Sequence, residues 1–209
     1  MRVLTRITVA VAAAMVLAGC GGPVVVNTDE PRPTPSGPPP APAPPPLNTT
    51  NLVNAFYFAA PVDGLTRYFF TTPSGRWDCA IIPRVQAGCQ ATDGGGLGVT
   101  GAPETVLDAA GEETEPNAVV IGREGDPMFL ALADTPFTPD PGPANVLQFN
   151  QVLAAAGFRC NIQEVSGVSC LSELTRRGFS FSTEGFTPTY TEVPPGAPIA
   201  PPTTTTATG

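Results

Sequence analysis

Of the side chains that do chemistry, this chain offers five cysteines and eighteen carboxylates, but no histidine and no lysine. A Ser-His-Asp triad therefore cannot be built, nor can a Ser-Lys dyad. The glycine run Gly94-Gly95-Gly96-Leu97-Gly98 lacks the lysine and the strand-to-helix setting of a phosphate-cradling loop, and reads as a linker. A calcium loop needs oxygens clustered in a D-x-D-x-D-G run, and none occurs. Zinc, without histidine or a CxxC pair, would require all four later cysteines as thiolates in an oxidising space, so no metal and no cofactor is expected. Paired carboxylates remain the one workable catalytic device. Asp78, Asp134, Glu164, Glu173 and Glu184 lie in or beside predicted strands, each read as a solvated outward residue. No catalytic residue is assigned, and a carboxylate-dependent glycan-processing enzyme stays an alternative to a non-enzymatic module. The net charge of −8, with ten arginines in no basic cluster, argues against nucleic acid, whose backbone needs several cationic contacts.

The cysteines follow a pattern of their own. Cys79, Cys89, Cys160 and Cys170 form an even set, and each consecutive pair encloses nine residues. Three connectivities are open. The spacing favours Cys79–Cys89 and Cys160–Cys170, each across a β-hairpin closed by a three-residue turn, at Pro83–Val85 and Glu164–Ser166. Directly opposed strand residues come close enough for a disulfide. Each ring would contribute roughly 2.7 kcal/mol in the chain-entropy model. The rival is a bridge between the halves, such as Cys79 with Cys170. The neighbourhoods of the two pairs match, which predicts two similar halves. Trp77, two residues before Cys79, shares its strand face; it reads as a ring packed on the disulfide or as a sugar-stacking platform. Arg159, with Arg176 and Arg177, reads as a balance to local acids or as a cationic spot for an anionic glycan or lipid head group.

These hairpins need elements to hold them. Short β-branched and aromatic runs recur between turn signals at Phe56–Ala60, Arg67–Thr71, Trp77–Ile82, Ala87–Ala91, Ala118–Gly122, Met128–Ala133, Phe158–Ile162, Gly167–Leu171 and Phe179–Ser182. Only Ala144–Ala156 carries a helical stripe, and it also alternates at Leu147, Phe149 and Leu153, so both readings stay open. Residues 93–117, Gly-rich and then acidic, read as a long loop. The expected class is all-β: a small disulfide-bonded antiparallel domain over residues 51–192, with at most one short helix, flanked by Pro-rich segments read as disordered.

The amino terminus reads as an address. Arg2 and Arg6 precede an apolar run from Ile7 to Leu17, too short to span a bilayer and suited to a secretory signal over residues 1–19. Leu17-Ala18-Gly19-Cys20 resembles the bacterial lipobox, which implies that Cys20 is acylated and becomes the first residue of the mature chain. The membrane would then be a partner through the N-terminal lipid, on the extracytoplasmic face. Two or more acyl chains anchor stably where one is marginal. Residues 20–50 form the lipidated start and a Pro-rich linker, with ten prolines between Pro31 and Pro46 favouring extended polyproline II. Residues 193–209 form a Pro/Thr-rich tail, and Thr203–Thr206 are candidate O-glycosylation sites.

The segment Phe70-Thr71-Thr72-Pro73-Ser74-Gly75-Arg76-Trp77-Asp78-Cys79 resembles the F-x-(S/T)-P-S-G-N-I-x-C signature of an uncharacterised actinobacterial, mycobacterial-type family of secreted proteins and lipoproteins. Phe158-Arg159-Cys160, Gly167-Val168-Ser169-Cys170 and Gly178-Phe179-Ser180-Phe181-Ser182 are similar to that family's ending. Arg76 and Trp77 stand where the family has Asn and Ile. The resemblance implies an exported, disulfide-bonded β domain and assigns no functional residue. The leading expectation is a non-enzymatic lipoprotein that binds an envelope protein or glycan. A carrier of an apolar or lipid ligand, suggested by Phe56, Phe58, Phe69, Phe70 and Phe129, is the alternative.

Overall fold

A computed structural model describes residues 45–199. The signal segment, Cys20, the linker before Pro45 and the tail that contains Thr203–Thr206 lie outside the described residues. The fold is all-β and built of hairpins. In chain order the strands are β1 (Ala59–Val62), β2 (Leu65–Thr71), β3 (Trp77–Ile82), β4 (Gln86–Ala91), β5 (Val106–Leu107), β6 (Glu113–Thr114), β7 (Ala118–Gly122), β8 (Met128–Leu130), β9 (Asn145–Val146), β10 (Val152–Ala155), β11 (Phe158–Gln163), β12 (Gly167–Ser172), β13 (Gly178–Ser182) and β14 (Gly185–Thr187). One sheet runs β1-β2-β3-β4-β7-β8, with β9 pairing parallel to β2. The other runs β10-β11-β12-β13-β14, and β5-β6 is a separate ribbon.

The period-two alternation of each strand sorts its side chains between faces. Trp77, Cys79 and Ile81 of β3 and Cys89 of β4 project from one face of the first sheet. Phe158, Cys160 and Ile162 of β11, with Cys170, Phe179 and Phe181, project from the second sheet into the same core. Both disulfides form as the spacing predicts, at directly paired positions with Cα separations of 4.0 and 4.1 Å. All four half-cystines are fully buried in that shared core. The three-residue turns fall where expected, closed by the pairs Ile82↔Gln86 and Gln163↔Gly167.

The opposite face of the first sheet is also covered. Phe137, on a strap after β8, packs with Phe69, Ala80, Ala118 and Val120. The side chains of Asp78 and Gln90, opposite each other on β3 and β4, hold the strap. Gln90 Oε1 accepts from the Phe137 N–H at 3.2 Å, and Asp78 Oδ2 accepts from the Thr138 hydroxyl at 2.9 Å. Asp78 is therefore buried and not a solvated outward carboxylate, because the strap turns an outer sheet face into a second core.

Two local expectations change for tertiary reasons. Phe56–Phe58 is not a strand; Ala55–Phe58 forms a 3-10 turn whose start is capped by Asn54, which accepts the Phe56 N–H at 3.0 Å. The stretch Ala144–Ala156 is not a helix. It holds β9 and β10, broken at Asn150 in the left-handed region (φ 63°). The sheets take its backbone groups: Leu147 donates to Thr71 O at 3.0 Å, Asn150 to Ile162 O at 2.7 Å. Leu147 and Leu153 become fully buried. The loop 93–117 contains the β5-β6 ribbon and sends Leu97 and Val99 into the core.

Two predictions follow from this packing. Removing either ring, as Cys79→Ala with Cys89→Ala or Cys160→Ala with Cys170→Ala, should lower unfolding free energy by about 3 kcal/mol in denaturant titration, because both close loops of equal length. At Gly88 an added Cβ would stand 2.6 Å from Val119 O and 2.7 Å from Val120 Cγ1. Gly88→Ala should therefore cost about 1–3 kcal/mol, whereas Gly125→Ala, in open space, should change stability by less than about 0.5 kcal/mol.

Candidate functional site

Strand register brings five hairpin turns to one end of the two-sheet body. In the first sheet Val62 pairs with Leu65, Ile82 with Gln86 and Gln86 with Gly122, so the turns β1-β2, β3-β4 and β7-β8 lie side by side. In the second sheet Ala155 pairs with Phe158, which also faces Ser172, so the turns β10-β11 and β12-β13 are adjacent. Hydrogen bonds join four of these five tips. Arg123 N–H donates to Val85 O at 3.2 Å, Glu173 N–H to Gly157 O at 2.9 Å, and the Ser172 hydroxyl to Arg123 O at 2.6 Å. The last of these links the two sheets.

The tips enclose a cleft of about 860 Å³. Leu65, Thr66 and Tyr68 form one wall and Ile82, Pro83, Arg84 and Val85 another, with Arg123, Ala156, Gly157, Phe158 and Leu174 between the sheets' other tips. Leu65, Val85 and Leu174 are 67%, 57% and 57% exposed; Val85 and Leu174 stand at turn positions where polar residues are usual, and Leu65 at the first position of β2. Arg84 and Arg123 are exposed and make no ion pair among the described residues. Arg67 also touches the cleft, but it shares a face of β2 with Phe69, two residues on, whose side chain lies on the strap side, and its guanidinium is 3.9 Å from Asp63. Among the described residues no carboxylate lines the cleft.

The residues singled out from sequence sit elsewhere. Trp77 is 6% exposed; its indole N–H donates to Leu97 O at 3.0 Å and its ring meets Phe181 edge-on at 4.9 Å. Arg76 lies over the ring at 5.5 Å. Arg159 is 5% exposed, with Nη1 donating to Asn48 O at 2.5 Å and Nε 3.4 Å from Glu173 Oε1. Arg177 pairs with Asp126 at 2.9 Å, so Arg159 and Arg177 are engaged with different partners. Glu164, Glu184 and Asp134 are exposed on separate turns, and among the described residues no three acids or thiols gather as a cation cage. Cys20 lies outside the described residues.

Arg159 belongs to a polar network that covers the outer face of the second sheet. Asn161, Ser169 and Ser180 are buried there. Ser169 and Ser180 hydroxyls meet at 2.7 Å, Ser180 donates to Thr189 O at 2.8 Å, and Asn161 donates to Thr191 O at 2.9 Å. Asn48 donates to Val193 O at 2.9 Å and, through its N–H, to Glu192 Oε1 at 3.3 Å. Val193 is fully buried, so the packed body reaches past the composition change at that residue. The Tyr190 hydroxyl is buried with no hydrogen-bond partner, the Asn161 amide being engaged with Thr191. Burial, and then the nearby Glu192 charge, push its pKa well above the usual tyrosine value. Burial likewise raises Glu192 above the ordinary carboxylate value, against the opposing pull of the Asn48 N–H, Arg159 and Arg176.

Arg84 and Arg123 were not evident as a pair in the sequence, since they lie on different turns. The available signal was an apolar residue beside a cation within a predicted turn, as in Pro83-Arg84-Val85. No protein-family model, curated protein or solved structure matches this chain.

The Glu192 shift fixes a pH dependence. A carboxyl whose folded pKa is raised contributes stability that is full below its unfolded pKa, near 4.5, and is lost as pH rises through the folded value. Glu192→Gln removes that loss while keeping an acceptor for Asn48. The stability of the variant relative to the parent should therefore rise from pH 4 to pH 7 in chemical denaturation. A gap that narrows over this range would contradict the assignment.

Proposed function

We propose that this protein is a lipid-anchored, non-enzymatic envelope module that binds an envelope component at its hairpin-tip cleft. The observation that carries the reading is the convergence of five turns, from both sheets, on one cleft with three exposed apolar side chains and two arginines that make no ion pair among the described residues. Binding surfaces concentrate on turns held by a rigid scaffold, and here two buried disulfides supply the rigidity. Those bridges suit an extracytoplasmic, oxidising compartment. No helix among the described residues is long and apolar enough to cross a membrane. Attachment is assigned to acyl chains on Cys20, on the strength of Leu17-Ala18-Gly19-Cys20 and the apolar run before it. The resemblance to exported actinobacterial lipoproteins supports the same location.

Two measurements test this. Intact mass and membrane fractionation should show acyl chains on the native chain, and Cys20→Ser should release it from the membrane fraction. A photoreactive residue placed at Val85, in the cleft, should give adducts in intact cells. The same residue at Val165, 93% exposed on the β11-β12 turn at the far end of that hairpin, should give none. Equal labelling at the two positions, or none at Val85, would overturn the assignment of the cleft.

A further inference from the structure

The chemistry of the cleft narrows what it takes. Resting on the reading of the hairpin tips as the binding end, we propose that the cleft binds a single anionic amphiphile, its phosphate or carboxylate head on Arg84 and Arg123 and its apolar part along Leu65, Tyr68, Val85 and Leu174. The chain carries a net charge of −8, so an anion is repelled by most of its surface and needs a local cationic site. Arg84 and Arg123 make one. Their turns are tied by the hydrogen bond from Arg123 N–H to Val85 O. The backbone of Arg123 is held again through its carbonyl by Ser172. Arg84 stands at the tip of its turn in the left-handed conformation (φ 62°). Two guanidinium groups on fixed backbones present forked donors matched to a phosphate or carboxylate.

The apolar lining separates an amphiphile from a plain anion. Leu65, Val85 and Leu174 are more than half exposed around the arginines, an arrangement that costs solvation unless an apolar group covers it. The volume, about 860 Å³, falls in the range that encloses most of one small ligand. It is larger than the cleft of about 340 Å³ over Trp77. An anionic glycan fits less well, because sugar rings call for an exposed aromatic face, and of the two aromatics that line the cleft Phe158 is fully buried and Tyr68 half-buried.

The test uses the full chain with Cys20→Ser, to keep it free of its own acyl groups, and dodecyl phosphate below its micellar concentration. Saturable binding should shift the amide resonances of Tyr68, Val85 and Gly157. Inorganic phosphate and the uncharged dodecyl maltoside should each bind at least about tenfold more weakly, as should dodecyl phosphate to the Arg84→Gln/Arg123→Gln variant. Both substituted residues are exposed, and an unchanged spectrum elsewhere will show that the variant is folded. Absence of saturable binding, equal binding of the maltoside or of inorganic phosphate, or an unaffected double variant would each overturn the ligand class. Adducts at Val85 in cells alongside absent dodecyl phosphate binding would keep the cleft as the binding end and discard the amphiphile. Specific dodecyl phosphate binding with no Val85 adducts would keep the ligand class and discard the envelope role.

Discussion

Two disulfides facing into one core are the constraint from which the rest of the structure follows. Each ties adjacent strands of its own sheet, Cys79–Cys89 in the first and Cys160–Cys170 in the second. Neither joins the sheets covalently. The sheets are held together by what surrounds the sulfurs: Phe70, Ile81, Val119 and Ile121 against Leu153, Phe158, Phe179 and Phe181. Small exported domains rely on such bridges because their cores bury limited apolar area. With both hairpins locked in register, each strand is committed to one set of inward side chains, since a one-residue slip would turn the inner set outward.

The two outer sheet faces are closed by different chemistry, and the difference is visible in residue size and polarity. Gly88, Ala80 and Ala118 on the first sheet leave room for the Phe137 ring, so that face becomes an apolar second core. Asp78 and Gln90 provide the polar ties that hold the strap. On the second sheet Asn161, Ser169 and Ser180 point outward, and the segment around Thr189–Val193 lies over them through hydrogen bonds. Arg159 is enlisted there, binding the Asn48 carbonyl from the other end of the described chain. Burying a guanidinium requires partners, and this one has the Asn48 carbonyl and the Glu173 carboxylate. A residue whose charge suggested a ligand contact is thus engaged in holding the chain ends to the sheet.

The cleft follows from the same architecture. Turns that hold little apolar residue in most hairpins carry Val85 and Leu174 here, beside Leu65 at the start of β2, and the sheet packing brings all three to one cleft. Their exposure is tolerated at the rim of a rigid body in which the phenylalanines Phe70, Phe158, Phe179 and Phe181 are already fully buried. Of the phenylalanines that suggested a carrier, Phe58, Phe69 and Phe70 are buried in the packed interior, Phe129 is half-buried and Phe56 is exposed, while the cleft lies on the surface between the hairpin tips.

Sequence alone determined the hairpins. Cysteine spacing, a three-residue turn and period-two patterning are local features, so the Cys79–Cys89 and Cys160–Cys170 registers, most strand spans and the all-β class could be read directly. What required the tertiary structure was everything settled between distant segments. Ala144–Ala156 has both helical and extended patterns, and only the waiting carbonyls of Thr71 and Ile162 decided between them. Asp78 is buried because of a strap some sixty residues later. Arg84 and Arg123 share a cleft because β4 and β7 pair across the long loop between them. Local propensity acts over a few residues, whereas burial and charge proximity depend on which surfaces the sheets cover, and that is decided only when they pack.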